Sequence, residues 1–363
     1  MDRHLEELVN HVPAWLQSGG QDRDVAVASR VRLARNLERR RFPHRLETKE
    51  AREICVVARG KLEDYFDGGT VVEPASLGPA ERDLLVERSL ASRDLLDAPR
   101  PTLALFDRAE SLGLMVNEED HFRLQSLTRG FDLTGAWNQI LPLGRALGEH
   151  FELARHRKYG YLTACPSNVG TGLRASLMLH LPALARVRKP LSQVLKTAQR
   201  SYLAVRGVHG EGSQALGHLY QISNQRTLGT DVSEQIQAVA EFGRQTMNFE
   251  REVRGAMLRD AGHKEQLIVD VQESHQLLKT AKKLTTAQAL DALSMLRLAV
   301  LADLKEALDG STFPPHKLLH LCFRLRPGHL QARLGSELGP EARDYSRAKE
   351  IRDALRIPFE EEA

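Results

Sequence analysis

The sequence predicts an α+β protein: an antiparallel sheet with flanking helices, followed by an all-helical C-terminal domain. Three observations carry that reading. Thr102–Asp107, Leu112–Asn117 and His121–Leu127 are short β-like runs separated only by DRAES and EED, turns that suit an antiparallel meander and are too short for a parallel crossover. After Thr230, two-residue alternation gives way to long helical periodicity. A length of 363 residues, with 42% hydrophobic and 27% charged residues, suits two domains, or three modest ones, of ordinary globular composition. The divisions fall at 1–23, a helical N-terminal segment, 24–255, the sheet domain, and 256–363, the helical domain.

Residues 1–20 read as an amphipathic helix with Leu5, Leu8, Val9 and Val12 on one side. Asp24–Asn36 opens with alternating Val25 and Val27, then sets Arg30 and Arg32 two apart, so a strand here presents both arginines on one face. Thr48–Phe66 repeats Ile54, Val57, Leu62 and Phe66 at helical spacing. Beyond the meander, Tyr159–Ala164 reads as a strand, CPSNVGTG as a loop, and Leu173–Leu184 as a helix. Tyr202–Arg206 and Leu219–Ser223 are the last strands and flank VHGEGSQALG. Asp231–Leu258, Glu265–Lys283 and Thr285–Leu308 follow as long helical patterns, with Thr285 and Gln288 forming a capping box. Pro314–Pro315 and Pro327–Gly328 punctuate the tail, and a final helix starts at Pro340. No internal repeat or low-complexity tract is evident.

Lys+Arg 51 against Asp+Glu 48 gives a net charge of +3, too balanced for a general nucleic-acid coat. The distribution is uneven. The 58 residues from Leu153 to Gly210 contain no Asp or Glu but ten Lys or Arg. The Arg186–Lys189 cluster reads as a solvated basic face. Arg174 and Arg206 differ because each adjoins a glycine-rich loop, and arginines so placed suggest a bound polyanion, phosphate first. Cys55, Cys165 and Cys322 are odd in number and widely spaced, fitting neither a disulfide framework nor a zinc knuckle. The N-terminus carries acids and no unbroken apolar core, so it is not a signal peptide, and no run of about 18 apolar residues occurs. The expectation is a soluble, reduced, cytoplasmic protein with no membrane or direct nucleic-acid partner.

The familiar nucleotide motifs are absent: no GxxxxGK[ST], no HRD, no DFG. Gly170–Ala175 and Gly210–Ala215 meet the loose GxGxxA pattern, but the first lacks an acid about 20 residues on and the second runs into a strand. Fourteen histidines show neither HExxH nor a cysteine–histidine cluster, so no protein metal site is expected; only His121 and His209 stand beside candidate site residues. Cys165 precedes Pro166, Ser167 and a predicted helix start, a setting that stabilises thiolate, though an inert buried thiol is the alternative. In NEED, Glu118 and Asp120 read as solvated turn acids, while Glu119 and the isolated Glu211 remain open between surface and site roles. Arginines for phosphates, separate carboxylates for a planar cation, and a thiolate together suggest phosphoryl transfer to nitrogen.

These segments together resemble the phosphagen (guanidino) kinase superfamily. The matching pieces are ASRVRLARN (28–36), NEEDHFRLQ (117–125), CPSNVGTGLRAS (165–176) and RGVHGEGSQALGHLYQISNQRTLG (206–229), in the family's order over about 200 residues. Two features resemble the bacterial protein-arginine kinase branch. The chain begins almost at the first arginine strand, without the helical domain that encloses small guanidino substrates, and Arg343–Ala348 fits an RDxxRA phosphoarginine-pocket motif. The resemblance implies an arginine cage for ATP from Ser29, Arg30, Arg32, Arg123, Arg174 and Arg206, with further nucleotide contacts at Ala175, Ser176, Gly207, His209 and Gly210. It implies that Glu119 and Glu211 hold the acceptor guanidinium and act as base, with Cys165 contacting it as thiolate. Mg2+ would be held mainly by nucleotide phosphates and water. Arg343, Asp344, Arg347 and Ala348 would sense phosphoarginine.

Two positions depart from the family. Ser89 stands where a nucleotide-contacting histidine is expected, and His209 where an aromatic residue or arginine is common. The activity implied is ATP-dependent phosphorylation of protein arginines, marking substrates for a Clp protease and modifying a stress-gene repressor. Expected partners are proteins with exposed arginines, an activator protein, a Clp ATPase and a second copy of the chain. The competing readings are a kinase for a free guanidino metabolite and a non-catalytic phosphoarginine-binding adaptor.

Overall fold

A computed structural model describes residues 3–208 and 215–357. Helix Arg3–Asn10 (α1) buries Leu8 and Val9, and the sheet begins at Ala26–Arg35 (β1). Thr48–Leu62 (α2) opens on a capping box between Glu47 and Glu50 and leads to the edge strand Thr70–Val72 (β2). Pro79–Glu87 (α3) and Arg93–Leu96 (α4) precede Leu103–Phe106 (β3), Leu112–Val116 (β4) and Phe122–Arg129 (β5), the antiparallel meander the sequence predicts. Leu133–His150 (α5) packs on β5 and β1. Arg155–His156 (β6) and Gly160–Tyr161 (β7) pair in a separate small hairpin. Leu173–His180 (β8), Pro182–Arg186 (α6), Arg188–Arg200 (α7), Leu203–Gly207 (β9) and Leu219–Asn224 (β10) complete an eight-stranded sheet of order β2-β3-β4-β5-β1-β8-β10-β9, antiparallel throughout. Val232–Arg259 (α8), Ala261–Thr280 (α9), Thr286–Leu301 (α10), Pro315–Arg324 (α11), Pro327–Leu334 (α12) and Pro340–Leu355 (α13) follow.

β1 sits at the sheet centre, flanked by β5 and β8. Its Val31 and Leu33, with Leu173 and Leu177 of β8, pack against Ile140 and Leu143 of α5 and Val239 and Met247 of α8. Alternation therefore sends Arg30 and Arg32 to the opposite face. A second core gathers Trp15, Val27 and Leu127 with Leu290 and Leu293 of α10, Phe323 of α11 and Ile351 of α13. The Trp15 and Phe323 rings meet edge to face at 5.1 Å. The C-terminal helices thus share a core with the start of β1.

Three elements differ from expectation. The N-terminal helix ends at Asn10, short of residue 20, and a separate 3-10 turn follows at Ala14–Leu16. Leu173–Leu184 is not a helix: residues 173–180 form β8, and only the turn from Pro182 is helical. Leu173, Leu177 and Leu181 recur every four residues, but Leu173, Ala175, Leu177 and Leu179 also recur every two. Periodicity cannot separate the two patterns in a run buried on both faces, and hydrogen bonding to β1 and β10 decides for strand. Tyr159–Ala164 contributes only Gly160–Tyr161 as strand, bridged at Tyr161 to Gly170.

Arg297 of α10 fastens the helices to the sheet. Its guanidinium donates to the carbonyls of Arg23 (2.8 Å) and Asp24 (3.1 Å) and lies 2.5 Å from His180 Nδ1. Burial, and next the charge of Arg23, lower its pKa to about 10. Arg297→Ala strands those carbonyls, so it should lower unfolding free energy by about 3 kcal/mol. The urea midpoint measures this, and a loss below about 0.5 kcal/mol, typical of surface changes, would show that the clamp is dispensable.

Candidate active site

Antiparallel register collects five arginines on one face of the sheet. Arg32 lies opposite Arg174 on β8 and Gln125 on β5, Arg30 opposite Ser176, Arg123 opposite Ala34, and Arg206 opposite Gln221. Arg30 donates to Gln221 Oε1 (2.7 Å) and Arg174 to Ser223 Oγ (3.0 Å). Among the described residues Arg32 has no hydrogen-bond or ion-pair partner, and its buried Nε is unsatisfied. Burial, then the charges of Arg123 and Arg174, push Arg30 down to about 10. Burial, then Arg30, Arg123 and Arg174, hold Arg32 well below its ordinary value. Arg174 is lowered by burial, then by Arg206 and Arg123. Such a cluster of desolvated like charges is stabilised by an anion placed among them.

Ser29 does not join them. One residue from Arg30 on a strand, it faces away, donating to the Gly130 carbonyl (2.9 Å) and accepting from the Asp132 amide (2.8 Å). Ala175 also faces the core, its amide held by Asn224 Oδ1 at 2.8 Å, whereas Ser176 lies on the arginine face. Gly207 ends β9 opposite Tyr220. His209, Gly210 and Glu211 lie outside the described residues.

The NEED turn joins β4 to β5; Asn117, Glu118 and Asp120 are buried and only Glu119 is exposed, which corrects the reading of Glu118 and Asp120 as solvated. Glu118 forms an ion pair with Arg123, accepts from Ser92 Oγ at 2.5 Å and from the Glu119 amide at 3.2 Å. Burial raises its carboxyl, but Arg123 and the hydrogen bonds outweigh that and hold it below its ordinary value. Burial lowers Arg123, yet Glu118 with Glu119 and Asp120 leaves it above its ordinary value. Asp120 Oδ1 accepts from Asn36 Nδ2 (2.6 Å) and the Ala164 amide (2.7 Å), anchoring the chain one residue before Cys165. Glu119 and Asp120 both line the cavity, and among the described residues Glu119 is the one of the two whose carboxylate has no hydrogen-bond partner. Burial, then the charges of Asp120 and Glu118, push its carboxyl above its ordinary value. His121 is fully enclosed, and burial lowers it to about 4, so it is neutral near pH 7.

Cys165 caps a single 3-10 turn, Pro166–Asn168, and not the helix expected from sequence. Its Sγ lies 3.0 Å from Ser167 Oγ. Thr227 Oγ1 lies 2.8 Å from the carbonyls of Ser167 and of Val169, fixing the loop. Gly170 has φ +116, and a Cβ there would fall 2.2 Å from the Thr227 carbonyl, so only glycine fits. A cavity of about 160 Å³ brings together Arg32, Arg123, Arg174, Glu119, Cys165 and Ser167. A larger cavity, about 950 Å³, lies between α2 and Leu96–Leu103 and contains none of these groups. Among the described residues no three His, Cys, Asp or Glu side chains are grouped to hold a metal ion.

Sequence reasoning missed the polar residues that hold the arginines: Glu118 for Arg123, Gln221 for Arg30 and Ser223 for Arg174. Gln221 and Ser223 had one signal, alternate positions on β10; Glu118, in the turn, had none. The RDYSRA segment is divided. Arg347 is 1% exposed and donates to the carbonyls of Leu325 (2.9 Å) and Leu284 (2.6 Å) and to Asp344 (2.6 Å). Ala348 is buried beside it. Arg343 and Asp344 keep partial exposure, with Arg343 donating to the Leu338 carbonyl at 3.1 Å.

Comparison with known proteins matches residues 51–253 to the ATP:guanido phosphotransferase C-terminal catalytic domain and residues 264–363 to the protein-arginine kinase McsB C-terminal domain. A protein-arginine kinase of Desulforamulus reducens is 38% identical over 358 residues, 96% of this chain and 97% of that protein. Its counterpart from Halothermothrix orenii is 36% identical over 361 residues, 97% of this chain and 99% of that protein. Among solved structures, the duplicated taurocyamine kinase of Schistosoma mansoni with bound transition-state-analogue components superposes with a TM-score of 0.58 at 27% identity. That match covers 67% of this chain and 35% of the duplicated one, about a third of its length. Lombricine kinase superposes with a TM-score of 0.57 at 23% identity over 69% of this chain and 76% of that one, which shows the shared fold.

Burial pushes the thiols of Cys55 and Cys322 up to about 12, whereas Cys165 borders the open cavity. Iodoacetamide at pH 8 should therefore alkylate Cys165 first, with Cys55 at least about tenfold slower. Peptide mapping over time measures both rates, and equal rates in the folded protein would refute the distinction.

Proposed function

This chain belongs to the protein-arginine kinase branch of the ATP:guanido phosphotransferases, and from that premise we propose that it transfers the γ-phosphoryl group of ATP to arginine side chains of proteins. The observation that carries the reading is the five-arginine face, three of whose members, Arg32, Arg123 and Arg174, meet Glu119 and Cys165 at one cavity. Arg30, Arg32, Arg123, Arg174 and Arg206 neutralise the phosphates and the charge that spreads over the moving phosphoryl group. Magnesium, held mainly by the nucleotide phosphates and water rather than by protein side chains, would supply further charge neutralisation there.

The acceptor is a guanidinium of pKa above about 12, which must lose a proton to become nucleophilic. Glu119, with its raised proton affinity, takes that proton together with Glu211. The freed nitrogen forms the N–P bond as the bond from the γ-phosphorus to the β–γ bridging oxygen breaks and ADP leaves. Cys165 and Ser167 face the same guanidinium from the loop.

The wider biology rests on the family resemblance: modified proteins are marked for a Clp protease, a stress-gene repressor is a target, an activator protein and a second copy take part, and the site of action is the cytoplasm. The RDYSRA segment serves as a phosphoarginine sensor, with Arg343 and Asp344 as its accessible members.

Incubation with ATP and an unfolded protein, followed by mass spectrometry that preserves acid-labile phosphate, should yield phosphoarginine. Free arginine offered alone should give far less, and a preference for free arginine would favour the metabolite kinase. Glu119→Gln should lower kcat at least about 100-fold while ATP affinity stays within about twofold. Arg174→Ala should instead raise the ATP dissociation constant about tenfold or more. Calorimetry with single-turnover kinetics separates the two, and retained turnover in Glu119→Gln would remove it as base.

A further inference from the structure

The segment from Glu87 to Ser92 touches the C-terminal helices at one end and the arginine face at the other. At its start, Glu87 leaves α3 and caps the N-terminus of α12 across the molecule. Glu87 Oε1 accepts from the Gly328 amide (2.8 Å) and Oε2 from the His329 amide (2.7 Å), while the Glu87 carbonyl accepts from Arg326 Nη1 (3.2 Å). These are two of the amides that a helix start leaves without internal partners; burial pushes the Glu87 carboxyl up to about 7, opposed by Arg326 and by these two amides, which with the helix dipole favour its carboxylate form. The contact is close. A Cβ on Gly328 would lie 2.4 Å from Asp83 Cβ and 2.5 Å from the Leu84 nitrogen, so α3 and α12 meet with no side chain between.

The far end of the segment reaches the site. Ser89, at φ +62, turns its carbonyl to accept from Gln125 Nε2 at 2.5 Å, and Gln125 is the residue opposite Arg32. Ser92 Oγ donates to Glu118, which holds Arg123. Between them Leu90 and Ala91 both donate to the Leu85 carbonyl (2.9 and 3.3 Å), so little slack separates the two ends.

We infer that Glu87 is a positioning residue for the phosphate-facing arginines: by capping α12 it fixes the Ser92 contact that places Glu118 and, through it, Arg123, and the Ser89 contact that holds Gln125 beside Arg32. The inference rests on the proposed binding of ATP phosphates by those arginines. It assigns the C-terminal helices a part in nucleotide binding although none of them lines the cavity.

The test uses the full chain as Glu87→Ala, Glu87→Gln and Arg174→Ala. Glu87→Ala should raise the ATP dissociation constant about fivefold or more, with KM for the protein acceptor unchanged. Glu87→Gln, which keeps one acceptor oxygen of the same shape, should fall between it and wild type. Amide exchange at residues 88–92 should quicken in both. If Glu87→Ala fails to fold, Glu87→Gln carries the test by the same two readouts. Wild-type ATP affinity in the Glu87 variants, with affinity lost in Arg174→Ala, overturns the inference alone. Unchanged affinity in all three variants overturns the phosphate reading of the arginine face as well. Equal rises in KM for ATP and for the acceptor would show a merely structural residue and also overturn the inference.

Discussion

Five guanidinium groups share one face of a central antiparallel sheet, and the surrounding structure offsets the cost of keeping them there. Burial, and after it the repulsion of neighbouring guanidinium groups, drives Arg30 and Arg32 below their ordinary pKa values. Fixed dipoles and a single buried carboxylate make the arrangement tolerable. Gln221 and Ser223 each take a donor from Arg30 and Arg174, and Glu118 neutralises Arg123. Arg32 has no such compensation among the described residues. A face so built suits a polyanion, because an incoming anion would relieve a repulsion already present.

The acidic turn opposite shows how neighbouring residues of one chemical type acquire different roles. Glu118, Glu119 and Asp120 are consecutive, yet alternation and the tight β4–β5 turn send them to separate surroundings. Glu118 is committed to an arginine and Asp120 to the backbone before Cys165. Burial, and then their two charges, raise the proton affinity of Glu119. Two structural carboxylates therefore tune the third, an arrangement suited to taking a proton from a strongly basic acceptor.

Helices far along the chain secure this arrangement. Arg297 binds the carbonyls that precede β1, and Trp15, Val27 and Leu127 share one core with α10 and α11. Arg347, within the motif read as a sensor, spends its donors on the carbonyls of Leu284 and Leu325. The Leu325 carbonyl lies two residues before α12, whose start is capped by Glu87. The C-terminal helices and the catalytic sheet are thus one mechanical unit, joined by buried charged groups bonded to backbone.

Much of this was legible in the residues. The β3–β4–β5 meander followed from turns too short for any other connection, and the face shared by Arg30 and Arg32 from their spacing of two. The capping box at Thr285 and the helix start at Pro340 followed from terminal chemistry that is local by nature. The motifs gave the family and, with it, the candidate arginines and carboxylates. β8 was misread because apolar residues filling both faces satisfy the helical and strand periods at once, and the choice rests on partners more than 100 residues away. The misplaced helix start at Cys165 came from the same ambiguity. The burial of Glu118 and Asp120, the commitment of Arg347 to carbonyls and the capping of α12 by Glu87 were decided by tertiary structure alone, whereas the turning away of Ser29 was already implied by alternation with Arg30. Local sequence fixes which atoms a residue carries and which way the next turn runs. Which of those atoms loses its water, and to what partner, depends on segments brought together only when the chain folds.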